Sequence, residues 1–201
     1  GNDDENTVRQ LAQIKVIDAG CPQFLQAVLR WIAEGNRGLV YLRTMKTAIK
    51  PIYPENFTFT YGKAYYLKKY GNAQAVIVTA GHGLTEALKA EEMLYQKGIL
   101  VNVLDMPSLD EEECLRLAEG ELPVIFAEQN NGALLEQFSR LAVTKTEIRA
   151  KVAGMNTRTQ EGELQYIPSG TYGQLLEQLG LTSEDIVKKV SEMVKEERQY
   201  G

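Results

Sequence analysis

From residue 75 to residue 153, short apolar runs alternate with amphipathic stretches, and this alternation limits the fold more than any other feature of the chain. Ala75-Val76-Ile77-Val78-Thr79 reads as a strand buried on both faces. Leu84 to Lys97 reads as a helix, with Ala87, Ala90 and Leu94 on one face and Gly98 placed to stop it. Ile99 to Leu104 reads as the next strand, Asp110 to Ala118 as a short acidic helix, and Val124-Ile125-Phe126-Ala127 as a third strand. Ala133 to Leu141 is helical, with Leu134, Leu135, Phe138 and Leu141 apolar, and Ala150 to Ala153 is a weaker strand. Strands buried on both faces and joined by helices imply a parallel sheet with helices on each side.

The flanks differ in character. Gly62 to Tyr70 is short, aromatic and lysine-rich, which suits an edge strand. Pro168-Ser169-Gly170 marks a turn before a short helix with Leu175, Leu176 and Leu179. Thr182 and Asp185 form a capping-box-like start to a last helix striped by Ile186, Val190 and Met193. Residues 1–50 read as a strand-helix-strand piece: Ile14 to Ile17, a helix starting near Pro22, then Leu39 to Leu42. Residues 51–61, with Pro51 and Pro54, read as a linker, and residues 62–201 as the main domain. A single strand-helix-strand piece is too small to make its own core, so it is expected to be the tail of a larger domain.

The side-chain inventory removes several chemistries. With 22 Lys plus Arg against 27 Asp plus Glu, the net charge is −5, which argues against nucleic acid or an anionic membrane as partner. One histidine, His82, and two distant cysteines, Cys21 and Cys114, cannot build the usual zinc sites, so no metal site is expected. The cysteines are expected to be reduced, buried and inert. The acidic start and the lack of a long apolar run fit a cytoplasmic protein better than a secreted or membrane one. Asp110 to Glu113 suit a helix N-terminus rather than catalysis, and no catalytic residue is assigned.

A few residues fall where ligands gather, outside the carboxyl ends of parallel strands. Arg43 and Lys46 follow the Leu39–Leu42 strand and are candidates for substrate binding; the alternative is that both are solvated loop cations. Gly81-His82-Gly83 joins a strand to a helix, and with Glu128 it forms a candidate anion site, since free amides at a helix start attract anions. The plainer readings are a tight turn with a capping histidine, and a carboxylate partnering a helix dipole. Tyr65, Tyr66 and Tyr70 are expected in a core or interface.

The order of segments resembles transketolase. It runs Gly38-Leu39-Val40-Tyr41-Leu42-Arg43-Thr44-Met45-Lys46, a Pro-containing linker, Gly62-Lys63-Ala64, Val76 to Gly83, and Glu86 to Ala90. Glu128-Gln129-Asn130-Asn131-Gly132 resembles that family's Glu-x-His-Asn segment, with Gln129 where His is common. Ser169-Gly170, Leu175-Leu176 and Gly180-Leu181-Thr182 resemble its closing segment. The resemblance covers the tail of a pyrimidine-binding domain and a whole C-terminal domain. It implies a three-layer, doubly wound α/β fold with a mostly parallel sheet and one antiparallel edge strand. It also implies ketol transfer between sugar phosphates in the intact enzyme, with Lys46 at the phosphate-gripping position. Thiamine diphosphate and magnesium are implied for that enzyme but not as ligands of this chain alone, because both anchors lie upstream in the family. The expected partners are the missing N-terminal domains, or a subunit carrying them, and a second copy in a homodimer. The alternatives are a stand-alone α/β module for a small anion or regulator, or the C-terminal part of a deoxyxylulose-phosphate synthase or a 2-oxoacid dehydrogenase beta subunit.

Overall fold

The computed structural model describes residues 4–44 and 49–200. A five-residue helix, α1 (Asp4–Val8), precedes β1 (Lys15–Asp18), α2 (Pro22–Ala33) and β2 (Val40–Arg43). Next come β3 (Tyr65–Lys68), β4 (Ala75–Thr79), α3 (Gly83–Gln96), β5 (Val101–Asp105), α4 (Glu111–Glu119) and β6 (Val124–Ala127). The chain closes with α5 (Ala133–Lys145), β7 (Val152–Met155), α6 (Tyr172–Leu179) and α7 (Ser183–Tyr200).

The main sheet has the order β3-β5-β4-β6-β7. Its strands run parallel except β3, which pairs antiparallel with β5 at one edge. Alternation along the central strands divides the core in two. Ala75, Ile77, Val101, Val103 and Ile125 face α3 and α7, where Ala87, Leu94, Ile186 and Val190 close the layer. Val76, Val78, Leu104 and Phe126 face α4 and α5, with the Phe138 ring tilted against Phe126 at 4.9 Å between centroids. Each large apolar side chain sealed this way contributes roughly 1.5–3 kcal/mol. The fold is therefore three-layered, mostly parallel, with one antiparallel edge strand.

Two strand starts lie later than the apolar runs suggest. Ile99 belongs to the end of α3: its amide donates to Leu94 O (3.0 Å), while that of Gly98 donates to Tyr95 O (2.9 Å). Gly98 takes φ +74°, which completes a Schellman closure and delays β5 to Val101. Arg149 and Ala150 both donate to Ala118 O at the end of α4, so β7 begins at Val152. The expected capping box of the last helix forms, since Asp185 accepts from the Thr182 amide (3.1 Å) and Thr182 Oγ1 accepts from the Asp185 amide (3.2 Å).

β1 and β2 form a separate two-stranded parallel sheet, with Asp18 opposite Arg43 at its carboxyl end. One face is covered by α2 and by residues 51–61. Tyr53 and Phe59 are buried there, and Phe24 lies 5.3 Å from both rings. A single helix covers the apolar face of a two-stranded sheet incompletely, and long aromatic side chains on a Pro-containing coil complete the cover around Phe24. α1 had no counterpart in the sequence reading, because five residues without an apolar period give no helical signal.

Candidate functional site

The carboxyl ends of the two sheets meet. Asp18 and Arg43 end β1 and β2, Gly81–Gly83 follow β4, Asp105 ends β5, and Glu128–Asn131 follow β6. The parallel register puts Asp18 beside Arg43, and Arg43 Nη1 donates to Asp18 Oδ2 (2.8 Å). Arg43 Nη2 reaches across to donate to Gln129 O (3.1 Å). Glu5 of α1 lies 3.8 Å from Arg43, is ion-paired with Arg9, and accepts from Asn130 Nδ2 (3.0 Å). The guanidinium of Arg43 is thus neither a solvated loop cation nor a free fork; it ties the small sheet to the large one. Lys46 lies outside the described residues.

The glycines of the Gly81-His82-Gly83 turn permit close approach. Gly81 adopts φ +55°, and a Cβ there would sit 2.2 Å from Asp18 Oδ1. A Cβ on Gly83 would sit 2.1 Å from Thr79 Oγ1 and 2.9 Å from Ala127 O, the pair joined by a 2.6 Å hydrogen bond. The amides of Gly83, Leu84 and Thr85 donate to the carbonyls of Ala80, Gly81 and His82, so this helix start is already occupied. His82 is the cap residue of α3 but makes no side-chain capping bond, contrary to the capping-histidine expectation. Its ring packs on Tyr172, 4.8 Å between centroids, and Tyr172 Oη accepts from Gln129 Nε2 (2.9 Å). Burial, with Arg43 nearby, lowers the imidazole to about 4, so it is neutral at pH 7.

Glu128 is buried and its carboxylate accepts from the amides of Leu134 (2.7 Å) and Leu135 (3.0 Å) in the first turn of α5. That is the helix-dipole arrangement. Burial nonetheless pushes its carboxyl up to about 7, against those two amide bonds. Asp18 is pushed up to about 6 by burial, against the Arg43 guanidinium and with the Glu5 charge adding to the rise. Asp105, fully buried, is pushed up to about 8 by burial, although Tyr53 Oη donates to its Oδ2 (2.6 Å). Its Oδ1 has no partner among the described residues.

Asp18, Asp105, Glu5 and Arg9 were missed by sequence reasoning. The available signal was an acidic residue closing each of two apolar strands, Lys15–Asp18 and Val101–Asp105, on the side where strand ends gather. A cavity of about 10 Å³ lies between Glu5, Arg9, Asp18, Glu128 and Asn130, the size of one water. Among the described residues no group of three or more His, Cys, Asp or Glu side chains is placed to hold a metal ion. Both cysteines are free and buried, and burial pushes the Cys114 thiol up to about 12, far from a reactive thiolate.

Residues 62–186, more than half the chain, match the family described as "Transketolase, C-terminal domain". The chain belongs to the transketolase family. It is 28% identical to rat transketolase (Rattus norvegicus) over 169 residues, which cover 81% of this chain and 26% of the rat protein. It is also 28% identical to a "Putative transketolase C-terminal section" from Methanocaldococcus jannaschii over 180 residues, covering 85% of this chain and 52% of that one. A solved structure titled "Split gene transketolase, inactive beta4 tetramer" superposes with a TM-score of 0.83 at 24% identity, covering 97% of this chain and 62% of the other. The chain thus spans about a quarter of the rat enzyme and about half of the C-terminal section. The structural likeness supports the transketolase C-terminal fold.

Proposed function

We propose that the chain is the C-terminal portion, as fragment or subunit, of a thiamine diphosphate-dependent transketolase that transfers a ketol unit between sugar phosphates. The supporting observation is one of extent. Similarity fills 85% of this chain but 52% of the Methanocaldococcus jannaschii C-terminal section, and 26% of the rat enzyme at 81% of this chain. The remaining machinery is assigned to N-terminal domains or to a partner subunit carrying them. Residues 1–50 are read as the tail of a pyrimidine-binding domain, 51–61 as the connection, and 62–201 as the C-terminal domain.

In this reading the chain serves assembly. It packs against the pyrimidine-binding domain and extends a two-fold homodimer interface, the commonest oligomeric symmetry. The anchors of the cofactor and its magnesium are assigned to the upstream domains, as the transketolase resemblance implies. Arg43, clamped between Asp18 and Gln129 O, precedes in the sequence Lys46, whose ammonium is assigned to the sugar phosphate. No helix among the described residues is long and apolar enough to cross a membrane, and a cytoplasmic location is proposed with the activity.

The test is calorimetry followed by reconstitution. The chain alone, titrated with thiamine diphosphate and magnesium, should give no binding heat. Mixed with a transketolase N-terminal section, it should yield ketol transfer between sugar phosphates. Saturable binding by the chain alone would overturn the assignment of the anchors, and failure of every such mixture to react would overturn the role.

A further inference from the structure

Buried carboxyl groups gather where the N-terminal unit, residues 4–44 and 49–61, meets the strand ends of the main sheet: Asp18 and Glu128 line one cavity, and Asp105 accepts a hydrogen bond from Tyr53. Asp18 comes from the N-terminal unit, Glu128 and Asp105 from the main domain, and all three are at most 5% exposed. Backbone contacts hold the two sides close. The Asp18 amide donates to Pro107 O (2.9 Å), and the Gly81 backbone leaves no room for a side chain beside the Asp18 carboxylate. Tyr53, part of the aromatic cover of the small sheet, donates to Asp105 across the same junction.

We infer that this junction is a proton-dependent latch: the N-terminal unit is seated while Asp105 and Glu128 carry protons, and it loosens when they ionise. The geometry supports this in two ways. Asp105 Oδ1 is buried without a partner among the described residues, so an ionised Asp105 would hold a bare charge there, whereas a neutral carboxyl would not. Around Glu128 and Asp18, the water-sized cavity leaves no room for a solvation shell.

The charged neighbours are few. α1 supplies Glu5 and Arg9, β2 supplies Arg43 with Tyr41 nearby, and the main domain supplies His82 beside Arg43. Arg43 and Arg9 offset Asp18 and Glu5. Asp105 has the Tyr53 hydroxyl, the Tyr65 phenol on the neighbouring edge strand and the like charge of Asp18. The sign follows. A carboxyl held above its unfolded value binds its proton in the closed state. Its stabilisation is complete at acid pH and is lost as pH rises through the closed-state value, about 7 for Glu128 and about 8 for Asp105. His82 acts in the opposite sense only below about 6.5, which leaves pH 6.5–8 as the informative window. The latch would set how firmly the N-terminal unit holds the β2 end, and with it Arg43.

The test is hydrogen exchange on the full chain at pH 6.5 and 8.0, comparing protection factors for β1 and β2 amides with those for β4 and β6. The expected result is that the ratio of N-terminal to main-sheet protection falls by about tenfold or more across the window, since each proton retained allows up to tenfold per pH unit. Asp105→Asn, a neutral side chain that still accepts from Tyr53, should flatten that fall and keep the junction protected at pH 8.0. A ratio constant within about twofold in the wild-type chain overturns the latch, as does an undiminished fall in D105N. If D105N does not fold, Glu128→Gln should show a reduced fall, and an unchanged one overturns the proposal.

Discussion

Replacing Gly81 with alanine should strike the junction through two separable effects. Gly81 sits at φ +55°, where an L-residue costs roughly 1–2 kcal/mol. The new Cβ would stand 2.2 Å from Asp18 Oδ1 and 2.4 Å from its Cγ, so the carboxylate must leave. Asp18 is a short, buried side chain held by Arg43 at 2.8 Å, and displacing it forfeits a charge-assisted hydrogen bond of about 1.5–3 kcal/mol. The sum is about 2.5–5 kcal/mol, which for a chain of this size lowers the melting temperature by about 5–20 °C. Gly98→Ala isolates the backbone part, because Gly98 has φ +74° but nothing within 4 Å of a Cβ. It should lose only about 2–8 °C. Thermal unfolding of both variants by circular dichroism decides the matter. Equal losses would refute the idea that Gly81 is fixed by the Asp18 carboxylate.

Two further outcomes follow from groups whose surroundings are equally specific. His82 is the only histidine in the sequence, so its proton resonances are unambiguous; they should titrate at about 4 instead of near 6.5, and Tyr172→Ala should move that midpoint upward by uncovering the ring. Because the folded imidazole is held neutral, its contribution to stability is present above 6.5 and fades as pH falls toward 4. Cys21 and Cys114 are both buried, so a thiol reagent should find no rapidly reacting group in the folded chain and two per chain in urea; a fast folded-state reaction at either would contradict the packing.

The main sheet was legible because its strands are short apolar runs punctuated by glycine and by capping residues. Those signals act locally: Gly98 ends α3 through its own backbone, and Thr182 with Asp185 starts α7 within one turn. The offsets at β5 and β7 were not legible in the same way. Ile99 is apolar enough for a strand but its amide is taken by Leu94, and Ala150 is taken by the end of α4. The rim was half visible. Arg43, Gly81-His82-Gly83 and Glu128 could be placed at strand ends by counting segments, and Glu128 could be matched to a helix start. Their partners could not, because Asp18, 25 residues from Arg43, and Gln129, 86 residues from it, become neighbours only when two sheets meet end to end.

The sequence by itself determined the layers, the strand-helix alternation and the family, since each rests on periodicity or on the order of segments along the chain. Tertiary structure alone decided that Arg43 is a clamp, that His82 lies half-buried against Tyr172, and that Asp18, Asp105 and Glu128 are buried. Charge state and hydrogen-bond partner depend on what else is buried nearby, and burial is a property of elements brought together from distant parts of the chain.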